Sequence, residues 1–100
     1  MYKGTTPTHI FKLPFDSSMV KECKITYAQD DVIVLEKFTE DCTLEGEYIT
    51  TTLTQEETFL FNHKRTVQIQ LRVLTTAGDA LASDISSVSV RQCLDEEILA

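Results

Sequence analysis

The chain has 100 residues, 42% apolar and 25% charged, and a formal net charge of −7. These are the proportions of one globular domain that buries roughly two-thirds of its unfolded surface, which excludes a second domain and a disordered chain. Nine scattered Lys and Arg leave no basic cluster to displace counterions from nucleic acid or anionic lipid, and no run of about 18 apolar residues occurs, so neither nucleic acid nor membrane is an expected partner.

The N-terminus, "MYKGTTPT", is polar and punctuated by Gly and Pro, which predicts a flexible arm over residues 1–7. It contains no apolar stretch of signal-peptide length, so the chain is expected to begin in the cytoplasm. "HIFKLPF" then sets His9, Phe11, Leu13 and Phe15 on one face. Pro14 cannot donate to a ladder, which places this strand at a sheet edge or ends it there. "VKECKITYAQ" repeats the alternation, with Cys23, Ile25 and Tyr27 inward and Glu22, Lys24 and Thr26 outward, before a turn at Asp30-Asp31. "VIVLEKF", 32–38, is rich in β-branched residues and reads as a strand; its continuous apolar start is expected to be covered on both faces.

"CTLEGEYITTTL" forms a hairpin around Glu45-Gly46, with Ile49, Thr51 and Leu53 on one side and Tyr48, Thr50 and Thr52 on the other. "TQEE", 54–57, is a capping box in which the Thr54 hydroxyl and the Glu57 carboxylate each accept from the other's amide, so one short helical turn is expected near 55–58. "FLFNHKR" crosses over, with Phe59 and Phe61 as core plugs. The most regular stretch follows: Val67, Ile69, Leu71 and Val73 alternate with Gln68, Gln70 and Arg72. "TAGDA" turns the chain, with Gly78 taking the positive φ that such a loop demands. On the returning strand the apolar parity changes from Leu81 and Ile85 to Val88 and Val90, which requires a bulge or bend near Ser86. "CLDEEILA" ends the chain with Leu94, Ile98 and Leu99 at helical spacing around three acids, readable as a docking arm or as a frayed acidic tail.

About seven short strands at even intervals define an all-β fold. The predicted architecture is an antiparallel immunoglobulin-like sandwich with one short helical turn. It has one domain over residues 1–100, a core of 8–91 and a short tail of 92–100. The antibody Cys-Trp-Cys hallmark is absent, since there is no Trp. Cys23, Cys42 and Cys93 are odd in number and widely spaced, the pattern of buried reduced thiols rather than of a disulfide framework.

No residue stands out as catalytic, cofactor-binding or metal-binding. His9 and His63 belong to no zinc spacing. Glu40, Asp41, Glu45 and Glu47 lack the alternation and central glycine of a calcium loop. Ser83, Ser86, Ser87 and Ser89 lie on a strand outside any nucleophile elbow. The three glycines stand alone, so no phosphate loop forms. Tyr2, Tyr27 and Tyr48 are the only candidates for a sugar platform. No cofactor and no enzyme activity are expected.

The run "LTQEETFLF", then "VQIQLRVLTTAGDALASDI", then "VSV" resembles small structural proteins of phages and prophages of Gram-positive bacteria. It is similar to the N-terminal sandwich module of phage baseplate upper proteins, without the downstream region of a full baseplate protein. The likeness spans roughly residues 8–91 and rests on packing and turn motifs rather than on a functional signature. It implies a non-enzymatic virion or virion-assembly component that binds other structural subunits or copies of itself. Such a protein is expected in the host cytoplasm during assembly and in the virion afterwards. The alternatives are a carbohydrate-binding or adhesion module, and a small regulatory binder from a mobile element.

Overall fold

Eight strands and one short helix follow the alternation of the sequence closely in the computed structural model, which describes residues 1–100. β1 (Thr8–Lys12), β5 (Tyr48–Thr52) and β4 (Thr43–Glu45) form a small sheet in that order. β3 (Val32–Phe38), β2 (Val20–Gln29) and β6 (Val67–Thr75) form the larger one, and β7 (Ala80–Ala82) and β8 (Ser86–Val88) share the far side of β6. Every strand pair is antiparallel. Taken as B, C, C′, D, E, F and G, these strands reproduce the orders B-E-D and C′-C-F-G of an immunoglobulin-like sandwich, with no first strand beside β1.

The centre of the larger sheet is the β2–β6 pair, in register at Cys23↔Val73, Ile25↔Leu71 and Tyr27↔Ile69. Because opposite residues on paired strands face the same way, all six side chains point into the sandwich together. Ile49 and Leu53 meet them from the strand and exit of β5, Leu13 from beyond β1, and Phe61 from the crossover. Each such burial contributes about 1.5–3 kcal/mol. Tyr27 is fully buried and its ring lies 6.0 Å from that of Phe61, so a tyrosine and a phenylalanine fill the interior where an antibody domain uses tryptophan and a disulfide. All three cysteines are free.

Turn chemistry fits the chain where the sequence placed it. Asp30 and Asp31 both adopt positive φ, as a two-residue hairpin between twisted strands requires. In α1 (Gln55–Phe59) the capping box closes in both directions, the Glu57 amide donating to Thr54 Oγ1 at 3.1 Å and the Thr54 amide to Glu57 Oε1 at 2.8 Å. The buried Thr58 hydroxyl donates to the Thr5 and Gln55 carbonyls and accepts from the Gly4 amide. Gly4 is obligatory there: a Cβ at this residue would sit 2.7 Å from the Phe59 ring.

Two expectations change and two gain detail. The stretch 32–38 is a strand but an edge one, and Val32 and Ile33 are 64% and 57% exposed rather than covered on both faces. The parity break does occur, as one extra residue: Arg72 pairs with Ala82 and Ile69 with Ser86, three steps on β6 against four on its partner. It falls at Ser83–Ile85, just before Ser86. There Ser83 bonds the Leu71 backbone with both its amide and its hydroxyl, while Leu81 and Ile85 stay exposed. Residues 1–7 are tied down: the Lys3 amide donates to the Arg91 carbonyl, the Arg91 amide to the Met1 carbonyl, and Tyr2 and Arg91 form a parallel bridge. Finally, residues 92–100 are not helical; Leu94 is fully exposed, and the Gln55 amide grips both backbone groups of Leu99.

Leu71 tests the central pairing. Leu71→Asp buries an unpaired carboxylate between the sheets, a cost comparable to the whole stability of a small domain, and is expected to abolish cooperative thermal unfolding by circular dichroism, whereas Arg72→Asp on the wet face leaves it in place.

Candidate interaction surface

Two polar links cross the interior. His9, on β1, meets Tyr27, on β2, with Nδ1 2.7 Å from the hydroxyl and the rings 5.5 Å apart. Burial pushes the Tyr27 hydroxyl far above its ordinary range, so it keeps its proton and donates. Burial, helped by the positive amino terminus, holds His9 below the usual histidine value, so its neutral ring accepts. A protonated His9 would leave the buried Tyr27 hydroxyl without an acceptor.

The second link is Lys37 to Glu57, 2.7 Å from both carboxylate oxygens. Lys37 stands opposite Ile25 and shares its inward face, so an edge strand sends a cation between the sheets. Burial alone would raise Glu57, but the Lys37 ammonium and the Thr54 amide outweigh it and hold the carboxyl below its ordinary value. The buried Gln29 fastens the crossover, donating to the Asn62 and Arg65 carbonyls and accepting from the Asn62 amide.

The residues weighed from the sequence do not converge. His63 lies on the crossover and His9 inside the sandwich. Asp41 accepts from the Phe38 amide within the one-turn helix Thr39–Asp41, whereas Glu45 and Glu47 flank the Gly46 turn. No group of three His, Cys, Asp or Glu gathers as metal ligands do. Ser83 occupies the bulge, and Ser86 and Ser87 lie on β8. Among the tyrosines, Tyr27 is buried while Tyr2 and Tyr48 are exposed.

What the fold displays instead is sheet margin. β3 closes the larger sheet on one side with nothing paired beyond it, and carries Val32, Ile33 and Phe38 into solvent. An open edge of this kind is a template for another strand. Three features blunt it: the register shift at Tyr27/Ala28 opposite Val34, the Glu36–Lys24 ion pair, and Lys37 aimed inward. β1 is the corresponding open edge of the small sheet. The outer face of that sheet holds a shallow groove lined by Ile10, Thr43, Glu45, Gly46, Tyr48 and Thr50, with Ile10 65% exposed. No helix is long and apolar enough to cross a membrane.

The inward Lys37 was hidden in the sequence because a charge discounts its position, although it alternates with Leu35 as an inward residue must. Comparison with family models, curated proteins and solved structures gives no match.

The two links predict two steps in acid sensitivity. His9 binds its proton more weakly folded than unfolded, so stability is lost as pH falls below about 6.5 towards the depressed folded value. Glu57 contributes stability above its unfolded value, lost as pH falls below about 4.5 through the folded one. Urea unfolding between pH 7 and 3 is expected to show the first step missing in His9→Gln and the second reduced in Glu57→Gln, the latter variant also losing about 1–3 kcal/mol at pH 7.

Proposed function

We propose that this chain is a non-enzymatic interaction module, a structural or assembly component of a phage or prophage particle, that joins neighbouring protein subunits along its sheet margins. The observation that carries the proposal is the β3 edge, unpaired along its length with Val32 and Ile33 largely exposed beside a rigid paired sheet. Main-chain groups along such an edge supply affinity, and exposed alternate side chains supply selectivity. The resemblance of residues 8–91 to baseplate sandwich modules supports the particle assignment, and the immunoglobulin-like strand order is consistent with it. Partners are copies of this chain or other structural subunits.

Sedimentation velocity over a range of concentrations, with Ile33→Lys as the comparison, tests the edge. A lysine on an open edge deters strand addition without entering the core, so association is expected to weaken at least tenfold while the melting temperature moves by no more than a few degrees. Equal association of both proteins would count against the edge. Mass spectrometry of particles purified from a strain carrying this coding sequence tests the class, the expected result being the intact chain in stoichiometric amount.

A second reading, a carbohydrate-binding module, draws on the groove where exposed Ile10 and Tyr48 lie among the threonine hydroxyls. Retention of the wild type but not Tyr48→Ala on immobilised oligosaccharides would favour it over the first.

A further inference from the structure

Of the features outside the margins, the most developed chemically is a pair of thiols. Cys23 sits on β2 in the larger sheet, 2% exposed; Cys42 lies just before β4 of the small sheet, half-buried and packed on the same core cluster. Thr39 holds both backbones at once. Its hydroxyl accepts from the Cys23 amide at 3.0 Å and reaches the Cys23 carbonyl at 3.3 Å, while its own carbonyl accepts from the Cys42 amide at 3.2 Å. Both side chains pack on that one cluster, and the neighbouring Cys23 thiol adds to the upward push on Cys42. Cys93 stands apart in the terminal segment, its thiol donating to the Asp95 carbonyl.

We propose that Cys23 and Cys42 are a redox modification site, closing into an intersheet disulfide when the folded chain meets a small-molecule disulfide. The half-buried Cys42 thiolate attacks one sulfur of the reagent, forming a mixed disulfide and releasing one small thiolate, which takes up a proton. The Cys23 thiolate then attacks Cys42 Sγ and expels the second small thiol. Two protein thiols are oxidised, and their two electrons reduce the reagent to two thiols. Thr39 supplies the orientation, since a residue bonded to both backbones keeps the two sulfurs from parting.

Burial pushes Cys42 up to about 12 and Cys23 upward as well. Little thiolate is present at neutral pH, so the exchange is slow and accelerates with alkalinity. The reduced pair also gains nothing from ionisation, and the closed form therefore resists reduction. The bridge restrains a loop that includes β3, the sheet margin described above.

The test uses the full chain carrying Cys93→Ser, incubated with oxidised glutathione at pH 8.5 and followed by intact mass, peptide mapping and thermal unfolding. The expected product has lost two hydrogens, carries no glutathione, yields a Cys23–Cys42 linked peptide and melts about 10 °C higher. Adding Cys42→Ser is expected to leave Cys23 unmodified under the same conditions, with circular dichroism confirming that the variant folds. A stable glutathione adduct on Cys42, a lasting pair of free thiols, or the same linkage forming equally fast in urea would each overturn the proposal.

Discussion

The pairing of β2 with β6 is the constraint on which the rest of the molecule depends. It sets Cys23, Ile25 and Tyr27 against Val73, Leu71 and Ile69, so one inner wall of the sandwich consists of a single block of side chains from two strands. β3 attaches to one side of that block and the divided strand β7–β8 to the other; the small sheet is laid over it through Ile49, Leu53 and Leu13. A one-residue slip of either strand would turn its three core side chains to water at once. The register is therefore specified more strongly here than along β3 or β7, where fewer apolar residues would change sides.

Much of this fold was legible because long two-sided strands leave a strict alternation in the sequence. Val67 to Val73, Cys23 to Tyr27 and Ile49 to Leu53 all alternate, and all three inward sets are buried. The capping box at Thr54 was equally readable, since both its bonds lie within one turn. Alternation misleads at the rim. Val32 and Ile33 are as apolar as core residues yet lie at an edge, and the order in which strands meet is settled by long-range pairing that no local pattern records. Leu81 and Ile85 failed as core residues for a related reason: the bulge at Ser83 keeps the β6 backbone bonded while these side chains remain outside.

The surface and the internal links were harder to read than the strands. His9 and Tyr27 are 18 positions apart and Lys37 and Glu57 are 20, and each pair meets only because the two sheets close over one another. Lys37 illustrates how polarity and position compete: alternation with Leu35 points it inward, and the cost of burying an ammonium argues the opposite until Glu57 is in place beside it. An inward charge on an edge strand also limits what may add to that edge, because a strand joining β3 must leave Lys37 and Glu57 together.

The manner in which the chain enters and leaves the domain has a geometric consequence. Met1 to Lys3 lie alongside Ser89 and Arg91, the Met1 ammonium donating to the Ser89 carbonyl, and Lys3 pairs with Glu96. The N-terminal residues thus run beside the segment that follows β8, whereas the last residues reach α1, where Gln55 holds Leu99. Polypeptide fused at the first residue would depart beside Ser89 and Arg91 and polypeptide fused at the last beside α1, so beads joined in tandem would be linked between two different points of the surface.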